Sequence, residues 1–217
     1  MADFPVDIYT EPTEVDPDTL ANLGPLRALA GIWEGTRGKD LHPVATGVEE
    51  DAFLERYELQ PTDPQLNGPQ LLYGLRYHTH VTRAGKPETF HEQVGYWLWE
   101  PATGQVIHTV AIPRGQVLLA GGIARSDASS FELEARLGSA TFGICSSPFL
   151  DHGFQTVEFT IRVTLNDDGS WTYDEDTVLR IRGRDELVHH TDRNTLHKIA
   201  APTPNPLVIA HRLATGA

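Results

Sequence analysis

The residues best equipped for chemistry fall in one stretch late in the chain, Glu186-Leu187-Val188-His189-His190-Thr191-Asp192-Arg193-Asn194-Thr195-Leu196-His197-Lys198-Ile199. It reads as a β-strand, yet it carries three histidines, an Asp, an Arg and an Asn. Strand neighbours point to opposite faces. Val188, His190, Asp192, Asn194 and Leu196 therefore share one face, and His189, Thr191, Arg193, Thr195 and His197 the other. Whichever face turns inward, the interior receives imidazole and polar groups. Burying these costs free energy unless each finds a partner. The strand is expected to hold a ligand; the plain alternative is a solvated edge strand.

Further histidines lie earlier. His78 and His80 share one face of a long strand, and with His91 they could form a mononuclear site, since imidazole suits Zn, Fe or Ni. No His-x-Glu-x-x-His run supports that arrangement. The chain has neither a Gly-x-Ser-x-Gly elbow nor a phosphate loop. Cys145, beside Ile144, reads as a buried small hydrophobe rather than a nucleophile.

The elements that must position these groups are strands. Gly31 to Gly38 is a strand entered and left through glycines, and residues 39–49, with Pro43 and Gly47, read as a loop. Residues 52–59 alternate, and 60–69 are turn chemistry. Long strands follow over 70–82 and 89–100. Pro101 to Gly104 makes a hairpin into 105–112, and another strand spans 116–124. Residues 129–146 give two short strands broken around Gly138, and 147–154 a loop. Residues 155–165 alternate most clearly, with Val157, Phe159, Ile161 and Val163 toward the core. Asn166 to Gly169 is a hairpin turn into 171–181. About ten strands at hairpin spacing imply an all-β, antiparallel meander that closes into a barrel. Barrels of this size leave room for one ligand. A short helix, split at Pro25, precedes the first strand, and Trp33 is expected to close the barrel end beneath it.

Composition narrows the partners. The 217 residues suit a single barrel domain over 20–200, between an acidic arm at 1–19 and a Pro-containing tail at 201–217. A net charge of −13 argues against nucleic acid and anionic membranes, which need clustered Lys and Arg. The one cysteine permits no internal disulfide. Residues 1–18 lack the basic and apolar regions of a signal peptide, and no apolar run approaches a membrane span. A cytoplasmic setting is expected, with a homodimer as one possible assembly.

Three motifs resemble the nitrobindins. The first is Leu23-Gly24-Pro25-Leu26 followed by Gly31-Ile32-Trp33-Glu34-Gly35. The second is Phe90-His91-Glu92-Gln93-Val94-Gly95-Tyr96-Trp97, with Pro101…Gly104 and Ile112-Pro113-Arg114-Gly115 after it. The third is the histidine strand with its Lys198-Ile199 ending. The resemblance covers 23–199 and implies a ten-stranded barrel carrying haem b on one histidine, binding nitric oxide and isomerising peroxynitrite to nitrate. It places the haem iron on His190, with His189 second, and His91, Phe90, Ile112 and Thr191 around the pocket. Aligned without a gap, the family's ligand position falls on Thr191. A one-residue bulge would return His190 to the pocket, while His189 shares the parity of Thr191. The competing expectation is a haem-free barrel for a small apolar or amphipathic ligand, its head group held by Arg76 with Tyr77 or Tyr57.

Overall fold

The computed structural model describes residues 5–215; the first four residues of the expected acidic arm and the last two of the expected tail lie outside the described part. Among the described residues, twelve strands form one sheet: β1 (Gly31–Val44), β2 (Gly47–Pro61), β3 (Gln65–Asn67), β4 (Gln70–Arg83), β5 (Thr89–Glu100), β6 (Gln105–Ile112), β7 (Gln116–Ile123), β8 (Ser130–Leu137), β9 (Gly143–Ser146), β10 (Phe154–Leu165), β11 (Trp171–Ile181) and β12 (Val188–Ala200). Their order is β2-β1-β12-β11-β10-β8-β9-β7-β6-β5-β4-β3, and β2 also pairs with β4, which closes the barrel. β3 pairs only with the start of β4 and stands outside the ring. Neighbours run antiparallel except β9, which lies parallel to β8. Closure leaves the ring without an open edge, as the run of hairpins implies.

The N-terminal helices plug one end. α1 (Thr19–Asn22) is capped by the Asp18 side chain, and a 3-10 turn (Gly24–Leu29) follows, the break falling just before Pro25 as expected. Leu23, Leu26 and Leu29 are fully buried. Trp33 lies beneath them, its Nε1 donating to the Leu29 carbonyl at 2.7 Å, and its ring meets Trp171 edge-on. Buried Trp packs well when its N–H finds such a partner. α2 (Pro148–Gly153) lies at the opposite end of the barrel, and α3 (Pro206–Thr215) follows the last strand. Asn205, buried just before α3, donates to the Pro17 carbonyl and to Asp63, tying arm and tail to the barrel. No helix among the described residues is long and apolar enough to cross a membrane.

Several local expectations need correction. The stretch 39–49 is not a loop: β1 continues to Val44, and the hairpin turn falls at 45–46. The turn-rich 60–69 contains the end of β2 and the three residues of β3, and 147–154 contains α2. In β10 the register slips between Thr156 and Glu158. Thr156 is thereby buried and Val157 only half-buried, while Phe159, Ile161 and Val163 face the core as expected. Cys145 is exposed, because β9 turns Ile144 inward.

Candidate functional site

The end of the barrel away from Trp33 opens into a cavity of about 500 Å³. That lies in the size range of small-molecule and cofactor pockets. Aromatic and aliphatic side chains make most of its wall, among them Phe53, Phe90, Trp97, Ile112, Phe154 and Ile161, and Phe149 and Leu150 of α2 stand at its edge.

β12 settles which histidine enters. It pairs with β11 without a register break from Leu196↔Trp171 to Val188↔Leu179. Asn194 and Leu196 are buried, so the even-numbered face points inward. His190 and Asp192 line the cavity. The bulge thought necessary to bring His190 inside is absent from this pairing; the slip lies on β1 instead, between Gly35 and Gly38. His189 is on the outer face, its Nδ1 2.7 Å from Asp176 Oδ2, and Thr191 is outside with it, opposite Asp176. Neither can serve as a pocket residue, because a strand sends alternate side chains to opposite sides.

His190 is held by Asp192 of its own strand face and by Asp40, which sequence reasoning missed. Its Nε2 lies 2.8 Å from Asp40 Oδ1 and 3.4 Å from Asp192 Oδ2. An ionised carboxylate only accepts, so Nε2 carries the proton. His42 brings Nδ1 to within 3.0 Å of Asp40 Oδ2, and its ring stands 6.4 Å from that of His190. Asp40 and His42 were misread because Pro43 and Gly47 drew 39–49 into a loop; the alternation Asp40/His42 against Lys39/Leu41 was the available signal. Burial pulls the His190 imidazole down, but the hydrogen bond to Asp40 and the charge of Asp192 outweigh it and leave it above its ordinary value.

Carboxylates form a row around this imidazole. Asp51 on β2, Asp40 on β1, Asp192 on β12 and Glu175 on β11 occupy directly opposed positions on four successive strands. Asp51 is bound by Arg83, whose guanidinium also lies over Phe90. Burial pushes Asp192 up to about 7, the nearby Asp40 and Glu55 charges adding to this and His190 opposing it. Burial likewise raises Glu175 well above the usual carboxylate range, with Asp192 and Glu55 contributing. Deeper still, the fully enclosed Glu55 accepts from Thr79 Oγ1 at 2.8 Å, Tyr173 OH at 2.8 Å and Asn194 Nδ2 at 2.9 Å. Burial raises its pKa against the pull of these bonds.

The remaining expected pocket residues divide. Phe90 and His91 both line the cavity although they are consecutive, because the β4–β5 register slips beside them. His91 bonds Gln93 at 3.1 Å, and burial lowers its pKa. Ile112 lines the same side of the cavity from the neighbouring strand β6, with Arg114 just beyond it. His78 and His80 face outward, paired with Glu92 and Thr89, so they form no cluster with His91. The suggested head-group pair is not assembled: Arg76 is exposed, whereas Tyr77 is buried against Tyr57 and donates to the Thr109 carbonyl.

Residues 22–198 match the family of THAP4-like, heme-binding beta-barrel domains. The chain belongs to that family, the nitrobindins. Among solved structures, the crystal structure of Rv2717c from M. tuberculosis is similar, with a TM-score of 0.57 and 21% sequence identity. The match covers 85% of this chain and 99% of that one. At such identity the likeness speaks for the barrel. Comparison with curated proteins gives no match. Within the nitrobindin barrel, the His190–Asp40 pair is the arrangement this chain presents at the cavity.

Proposed function

We propose that this nitrobindin barrel binds haem b through His190, in the ferric state, and there takes nitric oxide and converts peroxynitrite to nitrate. One observation carries the reading: a single β12 imidazole enters a mainly apolar cavity with one nitrogen already fixed by a carboxylate. Metal-bound imidazoles commonly give their second nitrogen to such a group, which sets the ring orientation and raises ligand basicity. The bonds of His190 run through Nε2, which leaves Nδ1 as its free donor atom. The residues present therefore fit the cofactor.

Haem, when bound, would be held by His190 and would supply an iron able to take a small ligand. The chain's own residues do the rest. Asp40 makes His190 a more electron-rich donor, which favours the ferric state. The aromatic and aliphatic wall would keep water away from a bound cofactor. Arg114 is the full cation lining the cavity and suits the carboxylate arms of the cofactor. His91, kept neutral by burial, offers a hydrogen bond without adding charge.

The test is the absorption spectrum after haem addition. His190→Ala should lose or shift the Soret band, and His189→Ala should keep it. An unaltered band in His190→Ala sinks the assignment. Peroxynitrite decay with nitrate as product, measured on the haem-loaded wild type, tests the activity separately.

A further inference from the structure

The carboxylate row has no matching set of cations. Like charges directly opposite across strands are destabilising. Arg83 answers Asp51, yet Asp40, Asp192 and Glu175 face one another with imidazoles as their neighbours. Among the described residues, the Glu175 carboxylate has no hydrogen bond or ion pair. A second sign comes from His42: its buried Nδ1 has no aligned hydrogen bond although it lies 3.0 Å from Asp40.

We infer that Asp40, His190 and Asp192 form a mononuclear site for a divalent first-row metal ion of the Zn²⁺ class, with His42 at its edge. One donor atom from each of the three lies within 4.8 Å of the others, and Asp40 is almost wholly buried. Donors bonded to one such ion at about 2.0–2.2 Å stand roughly 3–3.6 Å apart. The observed separations of 2.8 and 3.4 Å from His190 Nε2 are close to that already. Imidazole beside carboxylate selects Zn²⁺ and its first-row neighbours over Ca²⁺ and Mg²⁺, which prefer oxygen alone. Binding would displace the Nε2 proton to solvent, as deprotonation of ligands requires. The second grouping, Asp40, His42 and Asp51, shares the Asp40 carboxylate, but Arg83 holds Asp51, so one ion is expected.

The site goes beyond the haem reading and competes with it, because both use His190. Haem-free protein is titrated with Co²⁺, followed by its visible absorption, and Zn²⁺ is then used to displace it. Wild type should bind about one equivalent. Asp192→Asn, checked for fold by circular dichroism, should bind more weakly by more than the roughly 10–100-fold that loss of an outer partner costs. His189→Ala should bind as wild type does. No uptake by wild type, or equal uptake by Asp192→Asn, overturns the site. Haem uptake by the wild type is read separately from its Soret band, so the two readings fail separately. Cobalt binding without a Soret band defeats haem alone, and a Soret band without cobalt binding defeats the metal site alone.

Discussion

Glu175 on β11 stands directly opposite Asp192 on β12, and both carboxylates face the cavity. Both have raised pKa values in the fold. A raised acid favours the folded state at low pH, and that contribution is lost as pH climbs through its folded pKa. Glu175→Gln should therefore be more stable than wild type at pH 8, by about 1 kcal/mol or more, with the gain vanishing near pH 4. Urea melts across that range check it; a gain that does not depend on pH would refute the like-charge account.

His108 gives the opposite sign. It is fully buried, stacks on Trp97 at 3.7 Å, and neither ring nitrogen has a hydrogen bond. Burial lowers its pKa to about 3. Below pH 6.5 the unfolded chain takes up a proton that the fold refuses, so stability falls by at most about 1.4 kcal/mol per pH unit until pH 3. His108→Phe keeps the stack and removes the titration. The stability difference between wild type and variant should thus move against wild type as the buffer is acidified from pH 7 to pH 4. A flat difference would show that His108 is protonated in the fold.

Phe159 and Val157 separate the effect of the β10 slip. Phe159 is 3% exposed, and its replacement by Ala should cost about 3–5 kcal/mol. Val157, turned partly out of the core at the slip, should cost well under half of that. Equal losses in chemical denaturation would mean that Val157 is core after all.

Gly35 is a position of close approach. A Cβ there would lie 2.2 Å from the Asn194 amide, which itself donates to Glu55. Gly35→Ala should destabilise by about 1–3 kcal/mol through overpacking. Gly153→Ala meets open space and should change stability by no more than about 0.5 kcal/mol. Thermal melts of the two variants, run side by side, make the comparison.

The hairpins at 101–104 and 166–169 were legible because Pro, Asn, Asp and Gly mark turns locally. The Trp33 plug was legible too, as a bulky ring between two glycines. The inner face of β12 was not, since both faces carry polar residues; only the buried partners of Asn194 and Leu196 decide it. Asp40 and His42 were hidden by a Pro and a Gly in strand positions near a hairpin. Thr156 entered the cavity wall through a slip that no local composition announces. What the sequence hid was register, which depends on strands far away in the chain.

The pairing of β12 with β1 joins Ile32 to Ala200 and so spans nearly the whole barrel. Until β12 docks, β1 and β11 are both unpaired edges, open to pairing with other molecules. Asp40 waits on one of those edges, and His190 arrives only with the closing strand. The site and the sealed ring are thus completed in the same folding event: a chain stalled before β12 presents sticky edges and no binding pocket, and any ligand that bridges Asp40 and His190 rewards the finished molecule alone.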